Sequence, residues 1–570
     1  MRVDKRKIII CISLIVLSII RIVLTYNYRI FPIMAGEDDY LMVNWAWSII
    51  DGKWLGDYQY STLMKGPIFS FILAMLFKFK ISYVFFVNVF YVASCLFFIF
   101  AIRKKIKNDY LLIPLFAVLA FNPIMFSREV MQRVYRNALI PSFSLLLIAG
   151  YIGAYINRNE KIYKYLFYIF ALCGILPLFY YLREDSIWLV PYLIFMSASI
   201  AISLLLRIKK EKWIIISLKV VALIVPVVFI LLLGLKIEKK NETFYGLRIK
   251  SALNDSYFTE AIRAIYAVKP NVNIDRVNVT QEKAIRMTMV SPAFTEIYPH
   301  LVKYMGGYNT FDSNPSDFEC EDGWFLWAMR LAVSSAGYRN VVQEEDIYKR
   351  IADELNYAME SGQIEKQRTM PSALLSPYKK GYFGKTIAKI IESVSYTASY
   401  KDISIQNRVE VTQDENYYNE INKKFENLTN DKSLVVLASS NPQSELVINT
   451  AVITGITFAY RITGQILLIV GLVLYLVLVV NMIKDIRNKK YDTIELFIIS
   501  SGVLGLLFTL IAGIAYNDVA TAYSIKVLYL CGAYPLVAVF SILSIFYGFP
   551  YFLKKRNESK EKAKIIQFPK

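Results

Sequence analysis

Acids and arginines gather in four polar connections between long apolar runs, and their types suit proton transfer and phosphate binding. The first connection holds Glu37-Asp38-Asp39-Tyr40, then Asp51, Asp57 and Lys65. The second holds Ser127-Arg128-Glu129, Arg133, Tyr135 and Arg136. The third is Arg183-Glu184-Asp185-Ser186, and the last holds Asn517 and Asp518. Three adjacent carboxylates repel one another, and a bound cation or a shared proton relieves that repulsion. Asp38 and Asp39 are therefore candidates for a general base, or for ligands of a divalent cation such as Mg or Mn. Glu37 and Tyr40 would support them. The plainer alternative is helix capping: Tyr40 to Ile50 reads as a helix with Gly52 as its stop, and acids at a helix N-terminus meet free amides and the positive end of the dipole.

Arg128, Arg133 and Arg136 have the spacing i, i+5, i+8, which spreads them around a helix rather than along one stripe. The planar fork of arginine suits phosphate, and headgroup anchoring is the alternative. Lys65, ahead of Gly66-Pro67, would place an ammonium at the membrane interface, either for substrate or by snorkelling. Arg183 joins the candidate phosphate binders, with Glu129, Glu184, Asp185 and Asp518 as supporting groups. Arg183-Glu184-Asp185 also reads as a local ion-paired cap. A zinc site built on histidine is excluded by composition, because the chain has one histidine, His300. The five cysteines are scattered and form no CxxC pair.

What must position these groups is a membrane bundle. Of 570 residues, 56% are hydrophobic and 15% aromatic, with a mean hydropathy of +0.40. The apolar runs cover roughly 8–24, 68–77, 81–101, 110–126, 138–156, 162–181, 187–206, 213–235, 462–483, 494–515 and 524–548. A helix needs ~20 residues to cross the hydrocarbon, and only 68–77 falls well short. If 68–77 does not cross, the basic tracts Arg2–Lys7, Arg103–Lys107, Arg158–Lys164, Arg207–Lys212, Lys484–Lys490 and the tail from Lys554 all lie on one side, and only the Arg128–Arg136 segment lies on the other. The positive-inside rule makes that side cytoplasmic. The expectation is a polytopic α-helical protein of the plasma membrane with ten spans and both termini inside. The 66–79 stretch would lie flat in the outer interface, and 447–460 would form an outer lead-in helix rather than a further span.

The expected domains are 1–235, with seven spans and the acidic outer loop 25–80; 236–447, polar and extracytoplasmic; 448–553, with three spans; and a basic tail 554–570. Residues 236–447 carry 26 Lys and Arg against 28 Asp and Glu, so the net +19 belongs to the membrane part rather than to a nucleic-acid surface. The polar segment reads as mostly helical. Asn254 or Asp255 is a candidate cap for a helix that stops before Pro270. Ile347, Ile351, Leu355 and Met359 keep helical spacing, with Gly362 as a stop.

This pattern resembles the GT-C superfamily of membrane glycosyltransferases, which includes protein O-mannosyltransferases and lipid A aminoarabinose transferases. The family places an acidic pair in the first outer loop, then an aromatic, a Gly and a Pro-led apolar segment. Here these read Asp38-Asp39-Tyr40, Gly52-Lys53-Trp54 and Lys65-Gly66-Pro67-Ile68. The match covers about the first 235 residues; the pair is Asp-Asp rather than Asp-Glu, and the zinc-binding histidines of some relatives have no counterpart. The resemblance implies transfer of a sugar from a polyprenyl-phosphate-linked donor to an extracytoplasmic glycan, lipid or protein, among membrane lipids. Asp38 or Asp39 would be the base. Lys65, Arg128, Arg133, Arg136 or Arg183 would stabilise the departing lipid phosphate. A surface-polysaccharide polymerase or ligase, a lipid or sugar flippase and a non-catalytic receptor are the competing functions.

Overall fold

The computed structural model describes residues 5–33, 38–208, 212–308, 319–370, 374–406, 408–411, 414–437, 450–488 and 492–567. The protein is a polytopic α-helical membrane protein. Among the described residues, eight helices are long and apolar enough to cross a membrane: Tyr83–Lys105, Arg136–Asn157, Ile162–Leu182, Ser186–Leu205, Trp213–Tyr245, Thr450–Arg487, Thr493–Ala520 and Ala533–Leu553. Two expected spans are missing from this set, for different reasons.

Helix Lys5–Val23 has the length but carries Lys5, Arg6, Lys7 and Arg21. The expected span 110–126 is broken. Its helix is Leu112–Ala120 only, with 3-10 turns on either side, Asp109–Leu111 and Pro123–Phe126. Pro123 has no amide to donate, and the Asn122 side chain accepts from the Ile124 amide, 3.2 Å, so the helix cannot continue. Arg21 repairs the break. Its guanidinium donates to the carbonyls of Ala120 and Met125, 2.9 Å each, and lies 4.1 Å over the Phe126 ring. Helix Lys5–Val23 and this broken segment thus stand beside the eight candidate spans.

Two of the basic tracts, Arg103–Lys107 and Arg158–Lys164, meet at one end. Lys104 pairs with Glu160, 2.9 Å, and Lys105 and Arg158 both pair with Glu495. Other boundaries differ from the sequence expectation. Residues 450–460 are helical and run on without a break into the 38-residue Thr450–Arg487. The final span begins at Ala533, after a short turn Val527–Leu530. The 213–235 run is two helices, Trp213–Ala222 and Val225–Tyr245, the second passing the expected domain boundary and stopping at Gly246, φ 78°.

Two short helices lie at the end opposite those two basic tracts. Helix Asp39–Ile50 is followed by Gly52 with φ 76°, as its sequence predicts. Helix Ile68–Lys78 is too short to cross, and buries Phe69, Leu73 and Leu76. Helix Asp39–Ile50 joins two cores. Met42, Val43 and Ala46 pack into the membrane bundle, whereas Leu41 and Trp45 pack into a second core built from residues 249–364.

The polar segment is mostly helical, with one two-stranded parallel pair, Val409–Val411 and Val435–Leu437. Ile347, Ile351, Leu355 and Met359 are buried on helix Val341–Glu360, and Gly362 follows with φ 75°. The 257–267 helix is capped by Ser256, not by Asn254 or Asp255: its hydroxyl accepts from the Thr259 amide, 3.3 Å. The segment does not form one body apart from the bundle. Tyr396, Tyr400, Ile421, Phe425 and Leu428 join the bundle core, while residues 249–364 form the second.

Candidate functional site

Asp38 stands at the N-cap position of helix Asp39–Ile50, yet its side chain caps nothing. The carboxylate turns to Lys65, with which it makes an ion pair, and accepts from the Tyr135 hydroxyl, 3.0 Å. Lys65 also donates to that hydroxyl, 3.2 Å, so the three groups form a closed ring. Asp39 is held differently. Arg133 clamps it through Nε, 2.8 and 2.9 Å, and Nη2, 2.6 Å, and the same Nη2 lies 3.6 Å from Asp38. The side chain of Asp39 is fully buried and that of Asp38 is 31% exposed. Of the two acids, Asp38 alone is partly exposed.

The electrostatics follow from these contacts. Burial acts to raise the Asp38 carboxyl, but Lys65 and Arg133 outweigh it and hold the group below the usual carboxylate range. Burial pushes Asp39 up, to about 7, against the pull of Arg133. The three contacts of 2.6–2.9 Å are those of an ionised carboxylate on a guanidinium fork, which marks Asp39 as the partner of a buried ion pair.

The second and third connections complete the cluster. Residues 128–136 are not one helix: Arg128–Gln132 is a single π-turn, and a 3-10 turn starts at Arg136. This irregular path brings Arg133 to Asp39 and sends Arg136 to Glu184, 2.7 and 2.8 Å. Glu184 Oε1 also accepts the Gly66 amide, 2.6 Å, next to Lys65. A Cβ on Gly66 would meet the Tyr181 carbonyl at 2.6 Å, so only glycine allows this approach. Arg183 and Asp185 pair locally, 2.8 and 2.5 Å, but the Asp185 side chain makes no cap hydrogen bond to the turn that follows. Arg128 pairs with Glu129 and reaches Gln406, 2.7 Å, while Glu129 Oε2 lies 3.9 Å from Arg133.

Lys65, Arg133 and Arg136 surround the Tyr135 ring, with centroid distances of 5.6, 4.8 and 5.5 Å. The described cluster thus sets Lys65, Arg128, Arg133, Arg136 and Arg183 against Asp38, Asp39, Glu129, Glu184 and Asp185. Its charges balance. Arg136 Nε is buried without a hydrogen-bond partner.

No protein-family model matches the chain, and no curated protein is recognisably similar to it in sequence. Among solved structures it is similar to ArnT from Cupriavidus metallidurans in the apo state. The sequences are 10% identical, the TM-score is 0.30, and the match covers 94% of this chain and 77% of that one. A likeness of that size assigns no role to any residue.

Two sequence candidates go elsewhere. Asp518 accepts the amides of Ser524, 2.7 Å, and Ile525, 3.0 Å, and faces Lys389 at 3.3 Å, so it braces the turn after its own helix. Tyr40 packs beside Lys424, whose Nζ is 5.0 Å from the ring centroid. Glu37 lies outside the described residues. Lys65 and Tyr135 share one oxygen of Asp38, and Arg133 holds both oxygens of Asp39. Among the described residues, no three His, Cys, Asp or Glu side chains are grouped to hold a metal ion.

Sequence reasoning gave Tyr135 no role, although it noted the residue, and missed Trp327 altogether. Trp327 stands over Lys65, 5.6 Å from Nζ to the ring centroid, on helix Asp322–Ser335 of the second core. Tyr529, a third omission, lies 5.9 Å from Arg183. No spacing rule links Trp327 or Tyr529 to the cluster, since each arrives from a distant helix or turn.

Proposed function

We propose that the protein is a GT-C-type glycosyltransferase. It transfers a sugar from a polyprenyl-phosphate-linked donor to an extracytoplasmic glycan, lipid or protein. The observation that carries this reading is the division of labour in the acidic pair: Asp39 is locked on Arg133, while Asp38 stays partly exposed amid Lys65, Tyr135 and Arg133.

Asp38 accepts the proton of the acceptor hydroxyl as that oxygen attacks the anomeric carbon. The bond between the anomeric carbon and the lipid phosphate oxygen breaks, and the phosphate leaves with the electron pair. Lys65, Arg136 and Arg183, the cations of the cluster, offset the charge that develops on it. The low proton affinity of Asp38 keeps it ionised before attack. The site lies at the end of the bundle opposite those two basic tracts, which the positive-inside rule makes the extracytoplasmic face of the plasma membrane, with both termini cytoplasmic. Trp327 and its helix would cover the acceptor side.

The test is replacement of Asp38 by Asn in cells, with surface glycans read by mass spectrometry. Loss of one glycan class with normal protein levels is expected; unchanged glycans with the variant stably in the membrane would refute the proposal.

A further inference from the structure

Helix Tyr382–Ala398, in the polar segment, bears an apolar stripe that no described part of the chain covers. Phe383, Ile387 and Ile391 repeat every four residues and are 70, 43 and 66% exposed. Gly384 and Ala388 lie on the same side and are exposed as well. The opposite face is packed. Tyr382 is buried with Val519 and Ala520 at the end of one span, and Lys389 faces Asp518 at 3.3 Å. At the other end of the helix, the Ala398 carbonyl fits against Gly464, where a Cβ would meet it at 2.2 Å. Tyr400, just beyond, packs on Tyr460 and Tyr534, at 5.2 and 5.3 Å between centroids.

Height along the bundle decides what meets the stripe. Gly464 lies inside the spanning helix Thr450–Arg487, and its neighbours Ile462 and Ile466 are 53 and 57% exposed. Bare isoleucines on a spanning helix face lipid, so the Ala398 end lies at lipid depth. A side of the helix turned away from the bundle at that depth cannot be facing bulk water. A contiguous apolar patch on a water-facing surface would instead be an association hazard.

We propose that helix Tyr382–Ala398 docks on the membrane itself. Phe383, Ile387 and Ile391 enter the headgroup–acyl boundary of the leaflet on the candidate site's side. The helix is then an anchor with a direct line to the site. Ser404, six residues past its end, accepts the Arg128 amide, 2.8 Å, and Gln406 bonds both Arg128 and Gln132, 2.7 Å each. The anchor therefore ties the level of the lipid to the segment that carries Arg133. This inference does not rest on the transferase reading.

The test uses the full chain in nanodiscs of phosphatidylethanolamine and phosphatidylglycerol. Nitroxide labels are placed through Ile387→Cys or Ile391→Cys, in a Cys11→Ser background; the other four cysteines are buried. Tyr357→Cys, at a site 68% exposed on the second core, is the control. At 387 and 391, collisions with oxygen should exceed those with a water-soluble nickel chelate several-fold, and the order should reverse at 357. Labels at 387 and 391 that behave like the control would overturn the proposal. Exclusion of both reagents would also overturn it, by showing a protein partner on the stripe.

Discussion

Asp38 and Asp39 are adjacent and chemically identical, and their surroundings give them opposite work. Removing the charge of Asp39 leaves Arg133 buried without its partner, which costs about 3–5 kcal/mol for a broken buried pair. Asp39→Asn should therefore lower the thermal unfolding midpoint in detergent markedly. Asp38→Asn, at a partly exposed site, should lower that midpoint less, through the loss of the Lys65 pair, while abolishing transfer. The Asp38 pKa gives a further prediction. Its folded value lies below the ordinary ~3.9, so the carboxylate stays charged through neutral and mildly acidic pH. Its stabilising contribution is present above the unfolded pKa and is lost as pH falls through the folded one. A pH–rate profile should show no acid limb from Asp38 above about pH 4; a limb near 6 would contradict the ring with Lys65 and Tyr135. The residue types of this site were legible in the sequence. Their partners were not: helix-cap reasoning aims both acids at local amides, whereas Asp38 is captured by Lys65, 27 residues on, and Arg136 by Glu184, 48 residues on.

At the scale of elements, close approaches and bridged breaks set the geometry. Gly66→Ala would drive a Cβ into the Tyr181 carbonyl and disturb the amide held by Glu184. Activity should fall more than stability, because Lys65 is the next residue; equal losses of both would assign Gly66 to packing alone. Arg21→Met would leave the Ala120 and Met125 carbonyls without donors, at about 1–3 kcal/mol for each unsatisfied group, read as a lowered unfolding midpoint. In the second core, Lys283 is fully buried with no hydrogen-bond partner for Nζ, and burial pushes it down to about 7. Asp322, Lys379, Arg286 and Glu282 are the charged groups that act on it. The unfolded lysine holds its proton to about 10. Stability should thus rise with pH from about 7 toward 10, and Lys283→Met should flatten that rise. Periodicity located most of these helices, including 39–50 and 341–360. It could not show that 110–126 breaks, since the bond that permits the break comes from Arg21, 99 residues away.

For the whole molecule, the arrangement of charge is the central fact. Two of the basic tracts, Arg103–Lys107 and Arg158–Lys164, meet at one end through Glu160 and Glu495, and the acid–arginine cluster forms at the other. That separation was legible from loop charges alone, because each tract is local in sequence. The shared core between bundle and polar segment was not legible, because Tyr400 and Phe425 carry no local sign that they pack on spans. A membrane-impermeant thiol reagent should label Lys80→Cys, at the end of the short helix, from outside intact cells; labelling only from the cytoplasmic side would invert the assigned topology. The most direct test of the central claim compares Asp38→Asn with the unchanged protein in cells lacking it, scoring surface glycans by mass spectrometry beside protein level and unfolding midpoint. The account predicts a folded, normally abundant variant whose cells lose one glycan class. A full set of glycans from cells carrying that folded variant would contradict it.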